Sequence, residues 1–136
     1  MEASSPARLY ATVVGAVLTI AGIIGFFYSS SFGSPGTVDD VFGIFAVNGW
    51  HNVFHLVTGL LGLAAAGYAA RTYALAIGLL YLVVAIWGFI IGGGDSILSI
   101  VPVNTEDNVL HLIIGLVGLG AGAASPARAR ARPAAA

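Results

Sequence analysis

The chain has no cysteine and few charged residues, and both absences restrict the class of protein to which it can belong. Without cysteine it has no disulfide, no thiol nucleophile, no iron–sulfur cluster and no cysteine-ligated zinc site. Charged residues make up 8% of its 136 residues, whereas soluble domains carry roughly 25%. The net charge is −1, so there is no basic excess that would attract a nucleic acid. These features argue against a soluble enzyme, a nucleic-acid-binding protein and a disordered chain.

What the chain has instead is apolar sequence, because hydrophobic residues make up 58% of it. Four stretches without internal charge are long enough to cross a bilayer, which needs about 20 residues of helix. We therefore predict an all-α, integral-membrane four-helix bundle in a single domain, residues 1–124. A disordered tail rich in alanine, arginine and proline follows at residues 125–136. The predicted spans are residues 9–28, 50–70, 73–92 and 108–124.

The charges alternate along the chain in a way that predicts the orientation of the spans. All five basic residues are arginines that lie before the first span, between the second and third, or after the fourth: Arg8, Arg71, Arg128, Arg130 and Arg132. Five of the six acids lie in the other two loops: Asp39, Asp40, Asp95, Glu106 and Asp107. Loops rich in arginine and lysine remain on the cytoplasmic side of a membrane. We therefore expect a multi-pass protein of the cytoplasmic (inner) membrane with both termini in the cytoplasm.

An internal repeat predicts how the spans are related. When the chain is shifted by 56 residues, segment 39–66 matches segment 95–122 at 13 of 28 positions. A shift of 63 residues also aligns the first span with the third. We infer two tandem copies of one helical hairpin, a parallel repeat with a pseudo-two-fold axis along the membrane normal. The second and fourth spans are expected to face each other across that axis.

Polar and small residues recur at helical spacing at the start of the second and fourth spans. The spacing of 4-3-4-3 residues places each set on one helical face, which we expect to point into the bundle. Glycines there would let helix backbones approach closely in lipid. The two sets are Asn48, Asn52, His55, Gly59, Gly62 and Asn104, Asn108, His111, Gly115, Gly118.

Several of the polar residues have a structural interpretation as helix caps. An asparagine directly before an apolar helix accepts an unpaired backbone N–H, so Asn48 and Asn104 are predicted to be N-caps. Asp39 and Asp95 are interpreted in the same way, as caps of short segments along the outer interface, residues 40–47 and 96–101. None of these roles requires a ligand.

Among the repeated residues, His55 and His111 have the side chains best suited to bind a metal ion or cofactor. In one interpretation Asn52 and Asn108 hydrogen-bond the two imidazoles and join the helix ends. In the other, the histidines converge as axial ligands of a haem or as two ligands of a metal ion. Two histidines make a poor zinc site, so no metal site is predicted from them; haem is the candidate cofactor, but the absence of any cofactor is the favoured interpretation. His51 is spaced to chelate with His55, but its counterpart is Asp107, so it is interpreted as a solvated interface residue.

The remaining function classes have little support in the sequence. No Ser-His-Asp set, paired carboxylates or phosphate-binding loop is present, so we expect no enzyme. The leading hypothesis is a structural or accessory protein that packs in the bilayer with itself or with a partner membrane protein. A haem- or metal-binding bundle that uses His55 and His111 is the second. A channel or carrier subunit is the third, and no hypothesis involves nucleic acid.

The segments 47–56 and 103–112 share the pattern Asn-x-x-x-Asn-x-x-His. This paired motif resembles the signature of a bacterial family of small four-span membrane proteins, domain of unknown function family 4383, over about residues 8–124. The resemblance implies four membrane spans. It implies no activity, because none has been assigned to the family.

Overall fold

Four helices and two short hairpins follow one another in a computed structural model that describes residues 4–127. The helices are α1 (Pro6–Gly25), α2 (Gly49–Ala65), α3 (Ala70–Ile91) and α4 (Thr105–Ala123). The strands are β1 (Asp39–Val41), β2 (Phe45–Val47), β3 (Ser96–Ile97) and β4 (Val101–Pro102). The prediction of a helical fold is confirmed. Two of the helices, α1 and α3, are long and apolar enough to cross a membrane.

Side-chain caps set the beginnings of α2 and α4, as the sequence predicts. Asn48 accepts a hydrogen bond from the backbone N–H of His51 at 2.9 Å. Asn104 accepts one from the N–H of Asp107, also at 2.9 Å, and the Asp107 carboxylate accepts the N–H of Asn104 in return. α1 begins with Pro6, whose missing N–H costs nothing in the first turn.

The short interfacial segments are strands rather than capped helical turns. β1 pairs antiparallel with β2, and β3 with β4. Each hairpin turns through two consecutive residues with positive φ, Phe42 and Gly43 in the first hairpin and Leu98 and Ser99 in the second. Two such residues make the tight turn that fits the twist of antiparallel strands. Only one of the four is glycine, so the sequence carries little signal for either turn.

The helices pack as two close pairs, α1 with α2 and α3 with α4. A Cβ atom on Gly15 of α1 would lie 2.8 Å from the backbone nitrogen of Leu63 on α2. A Cβ atom on Gly78 of α3 would lie 2.7 Å from the backbone nitrogen of Leu119 on α4. Each pair therefore brings backbone against backbone at a glycine, the packing that stabilises helices in lipid.

Contacts between the two pairs differ from the expected arrangement. α1 and α3 pack across the centre, and no backbone contact of comparable extent joins α2 to α4 within residues 4–127. The second and fourth spans therefore do not pack backbone against backbone, although their histidine side chains meet between them. α1 and α3 approach because both carry small buried residues there: Ala7, Ala11, Ala70 and Ala74.

Two tyrosines join the pairs by reciprocal hydrogen bonds. The hydroxyl of Tyr10 on α1 donates to the carbonyl of Ile114 on α4, and the hydroxyl of Tyr73 on α3 donates to the carbonyl of Thr58 on α2, both at 2.9 Å. The two rings lie 6.1 Å apart. They form the middle of the apolar core.

The outside of the bundle is apolar and much of its inside is polar. Asparagine, histidine and threonine side chains are buried between the helices. Soluble proteins bury such groups less often than aliphatic ones. Large apolar side chains are exposed on all four helices, among them Val17, Ile20, Val57, Leu60, Leu79, Ile90, Val117.

The two ends of the bundle differ in charge. At one end, Arg71 at the start of α3 donates from Nε to the carbonyl of Ser125, and the Ser125 hydroxyl accepts the backbone N–H of Ala7. The hairpins and the acidic residues lie at the other end. Ser125, the first residue of the predicted tail, is thus buried and bonded. Residues 128–136, with the remaining arginines, lie outside the described residues.

Candidate functional site

All three histidines of the chain converge at the hairpin end of the bundle. His51 and His55 lie one turn apart on α2, and His111 comes from α4. One ring nitrogen from each lies within 4.8 Å of the others. Their side chains are 2%, 8% and 3% exposed, respectively. The structure therefore forms a cluster of three buried imidazoles where the sequence predicted a pair.

The imidazoles are in direct contact. The Nε2 atoms of His51 and His55 are 3.2 Å apart. The ring of His111 lies 5.7 Å from that of His51 and 6.0 Å from that of His55, measured between centroids. The Nδ1 atoms of His51 and His111 are buried and have no hydrogen-bond partner among the described residues.

The interpretation of His51 as a solvated residue is wrong. The first turn of α2 is covered by both hairpins, because β2 and β4 both pack against α2. His51 is therefore enclosed although it lies in the first helical turn. The four-residue spacing to His55 was the sequence signal for this contact, and the absence of a matching histidine in the repeat argued against it.

The expected network between asparagines and histidines is also wrong. Asn52 donates from Nδ2 to the carbonyl of Ser29 at 2.8 Å, away from the imidazoles. The Oδ1 atoms of Asn52 and Asn108 pack against Gly25 and Gly88, where a Cβ atom would overlap them. Neither oxygen has a hydrogen-bond partner among the described residues. These amides therefore fit the helix pairs together, and the histidines have other neighbours.

The glycines of both predicted faces are buried between helices. Gly59 packs on Thr19 of α1, and Gly115 packs on Leu82 of α3. Gly62 and Gly118 each lie under a tyrosine ring from the other helix pair. All four are in contact with parts of this same chain.

Two hydroxyl groups lie next to the imidazoles. The Tyr81 hydroxyl is 3.0 Å from Oγ1 of Thr58, which lies one turn after His55 on α2. The ring of Tyr81 packs edge-on against His111, with centroids 5.3 Å apart. Thr58 also bonds the carbonyl of Phe54 at 2.7 Å, so its proton is directed there and Tyr81 is the donor of the pair.

A cavity of about 280 Å³ opens beside the cluster, between α2 and α3 and beneath the second hairpin. The histidines, Thr58 and Tyr81 form its polar part. The remaining lining residues are apolar: Phe54, Leu80, Val83, Val84, Trp87, Ile97, Leu98 and Val101. Phe54 is 50% and Leu98 68% exposed, so the cavity opens on the side of the bundle.

The polar residues of the cluster are those at which the two halves of the chain differ. At the shift of 56 residues, His51 corresponds to Asp107 and Thr58 to Ile114. At the shift of 63 residues, Tyr81 corresponds to Leu18. Leu18 and Ile114 belong to the apolar core. At each of these three pairs of positions, the polar residue lies at the histidine cluster. The pattern becomes visible only when both sequence shifts are considered together.

Asp107 does not take part in the cluster. Its carboxylate accepts the backbone N–H groups of Ala46 at 3.0 Å and Asn104 at 3.1 Å. The position that corresponds to Ala46 in the second hairpin is Pro102, which has no N–H to donate. A carboxylate at the position of His51 would therefore lack the hydrogen bond that the N–H of Ala46 donates to Asp107.

The cluster has the donor set of a metal site. Nitrogen atoms bound to one tetrahedral ion at about 2.0–2.1 Å lie roughly 3.3 Å apart, close to the 3.2 Å between His51 and His55. Imidazole nitrogen suits zinc, copper, nickel and iron. A porphyrin between His55 and His111 fits less well, because His51 already contacts His55 with ring centroids 4.4 Å apart.

A protein-family model described as "Domain of unknown function (DUF4383)" matches residues 8–124. The chain belongs to this family, so the predicted family membership is confirmed. Neither the curated proteins nor the solved structures include a match.

Proposed function

We propose that this protein crosses the membrane four times and binds one transition-metal ion through His51, His55 and His111. The observation that carries the proposal is the convergence of three buried ring nitrogens within 4.8 Å. The protein is a binding protein in this proposal, and no catalytic group is assigned to it.

The distribution of polarity supports the membrane location. All four helices expose large apolar side chains and enclose polar ones. α2, with 17 residues, is about 25 Å long at 1.5 Å per residue. That length is at the short end of what a bilayer needs. α1, α3 and α4 are longer.

The charges of the two ends support the proposed orientation. Arg8 and Arg71 lie at the end where the chain begins, and the acidic residues lie at the hairpin end. Both termini would then face the cytoplasm of a bacterial cell, and the hairpins the outside. The matching bonds of the two helix pairs support a tandem repeat with both copies in one orientation.

Unpaired nitrogen atoms favour a metal ion over a cluster held only by hydrogen bonds. Among three neutral imidazoles, the pair His51–His55 uses one N–H, while the Nδ1 atoms of His51 and His111 stay unpartnered. A buried polar atom without a partner costs about 1–3 kcal/mol. A metal ion bound to the Nε2 atoms of His51 and His55 would replace their mutual hydrogen bond, and if it bound Nδ1 of His111 it would offset the cost at that ring.

The chemistry of the ligands limits the ion. The cluster contains no thiolate or carboxylate. Its nitrogen atoms are therefore poor ligands for hard ions such as calcium and magnesium. Three protein ligands leave one coordination position open, as in zinc sites that exchange a ligand. That position would face the cavity. We propose zinc or copper as the resident ion.

The structural or accessory role receives less support from the structure. Packing against a partner in lipid uses small residues on an exposed face. Here Gly59 and Gly115 already pack against helices of the same chain. A channel or carrier subunit likewise has no specific observation in its favour.

Metal binding can be tested in detergent with a chain that has no histidine outside the cluster. The purification tag must contain no histidine. Cobalt(II) is the probe, because tetrahedral nitrogen coordination gives strong visible absorption bands. We expect one ion per chain, displaced by zinc. His55→Ala or His111→Ala is expected to abolish the bands.

Asp107→Asn is the matched control, because it changes a buried side chain at the top of α4 that hydrogen-bonds to Ala46 and Asn104 rather than to the histidines. It should leave cobalt binding intact. Circular dichroism checks that each variant is folded. A folded wild-type protein that takes up no cobalt, zinc or copper(I) contradicts the proposal.

The topology can be tested by cysteine labelling because the chain has no native cysteine. Val38→Cys lies near the first hairpin and Tyr68→Cys lies between α2 and α3, and both positions are exposed. In intact spheroplasts a membrane-impermeant maleimide should label the first. The second should react only after permeabilisation, and equal labelling of both contradicts the orientation.

A further inference from the structure

The cavity beside the histidines has two chemically different parts. Its floor is formed by the three histidines, Thr58 and Tyr81, whose nitrogen and hydroxyl atoms lie mostly beneath the ring and methyl carbons that face the cavity. Its walls are aliphatic and aromatic side chains, including Phe54, Val84 and Trp87. No acidic residue or arginine is among the residues that line it. A ligand that fits this cavity is uncharged and largely apolar, because an unpaired charge in such a site is strongly unfavourable, and a single polar atom of the ligand would find its partners only at the histidines.

The size of the cavity limits the ligand further. An apolar cavity of about 150 Å³ binds benzene. The volume of about 280 Å³ therefore accommodates a single ring with several substituents. Aromatic side chains favour an aromatic or quinonoid ring, because rings pack well in stacked and edge-on geometries. Trp87, Phe54 and Tyr81 provide three such neighbours.

The position of the opening indicates where the ligand comes from. Phe54, Leu80 and Leu98 are exposed at the rim, on the side of the bundle rather than at its end. In the proposed membrane orientation this side faces lipid, near the outer end of α2. A tail attached to the ring could then remain among the acyl chains.

We infer that the cavity binds a lipid-soluble quinone or quinol, whose ring lies between α2 and α3 and whose oxygen atom meets the histidine cluster. An imidazole N–H group can donate a hydrogen bond to such an oxygen, and the open position of a bound metal ion can coordinate it. The inference rests on the proposed membrane location and uses the same cluster as the proposed metal site. No electron transfer is part of it.

Tryptophan fluorescence gives a direct test, because quinones quench a neighbouring indole. The chain has two tryptophans, and only Trp87 lines the cavity. Trp50 packs on Phe32 instead. Trp50→Phe protein in detergent is titrated with decylubiquinone, and we expect saturable quenching of Trp87. Trp87→Phe protein, which keeps Trp50, is the matched control and should show only weak, unsaturable quenching.

Filling the cavity separates specific binding from partition into detergent. Val84→Phe adds a ring to the wall that would occupy part of the ligand's volume, and we expect about tenfold weaker quinone binding or more, which is about 1.4 kcal/mol or more. If the Val84→Phe protein does not fold, Val83→Phe is used in its place to fill the cavity. Both variants keep all three histidines, so cobalt binding should be unchanged.

The outcomes distinguish this inference from the proposed function. Equal quenching in the Val84→Phe and Val83→Phe proteins overturns the inference. Displacement of the quinone by decanol at equal concentration also overturns it, because the site would then select an alkyl chain. Cobalt binding without saturable quenching overturns the inference alone. Saturable quenching in protein that binds no metal supports the inference and contradicts the metal site.

Discussion

The crevice between α2 and α3 differs from its counterpart between α4 and α1, although both are built on the same framework. Asn48 donates to the carbonyl of Ile100 in the second hairpin, and Asn104 donates to that of Ile44 in the first, both at 2.6 Å. Each helix pair thus holds the hairpin of the other. Glycine contacts and tyrosine bonds match in the same way.

The side chains that face the two crevices do not match. One crevice contains His51, Thr58 and Tyr81, and the other has Asp107, Ile114 and Leu18 at the corresponding positions. Residues that stabilise the bundle are thus shared, and residues that give one crevice its chemistry are not. This separation is what the proposed metal site in the polar crevice and a shared framework around it would produce.

The largest expected effect comes from breaking what the halves share. Gly15→Ala and Gly78→Ala would each push a methyl group into the backbone of the neighbouring helix, within 2.8 Å of a nitrogen atom. We expect each to lower the free energy of unfolding by about 3 kcal/mol through overpacking. Titration with sodium dodecyl sulfate, followed by circular dichroism, measures this. Gly67→Ala, whose Cβ meets nothing within 4 Å, is the control. Different losses in the two halves would contradict the shared framework.

A second prediction concerns the position at which the halves differ most. His51→Asp places a carboxylate opposite Pro102, which lacks the N–H that Ala46 gives to Asp107. We expect a loss of about 2 kcal/mol, because a buried acceptor is left without its donor. Pro102→Ala should restore part of this stability in the double variant. The same unfolding titration measures all three proteins. No recovery in the double variant would show that the two positions are not coupled.

A third prediction sharpens the comparison of the hairpin contacts. Asn48→Ala removes a helix cap and two donated bonds, to the carbonyls of Pro35 and Ile100. Asn104→Ala removes a cap and one donated bond, to Ile44. We expect losses of about 1–2 kcal/mol, with the larger loss for Asn48→Ala. Thr12→Ala, on an exposed helix face, is the control. The reverse order of the two losses would contradict the bond assignment.

The smallest effect is expected inside the polar crevice. Tyr81→Phe removes one hydrogen bond to Thr58 and should cost about 1 kcal/mol. A double-mutant cycle with Thr58→Val isolates the pair, because the two side chains contact each other directly. Tyr68→Phe, at an exposed tyrosine, provides the reference. Additive losses in the cycle would mean that the bond contributes nothing.

Much of the framework could be predicted from the sequence because its signals are local. Long uncharged apolar runs gave the helices, and an asparagine before each of two runs gave the caps at Asn48 and Asn104. The hairpins were missed because their turns use Phe42 and Leu98 at positive φ, which no local pattern indicates.

The site was predicted in part. His55 and His111 stood out because they recur in register, whereas His51 was set aside because it does not. A comparison of the two repeats identifies residues that both copies share. Most polar residues of the candidate site occur in only one copy. Asn52 was paired with the wrong neighbour because Ser29, its acceptor, lies 23 residues earlier in the chain.

The sequence by itself determined the helices, their caps, the glycine positions and the polarity of the two ends, since each depends on residues close together in the chain. Only the tertiary structure decided that α1 and α3 pack at the centre and that His51 joins His55 and His111 beside a cavity. The physical reason is that these contacts depend on how far apart the helix backbones lie. That separation is set by alanines, glycines and hairpins from distant segments acting together.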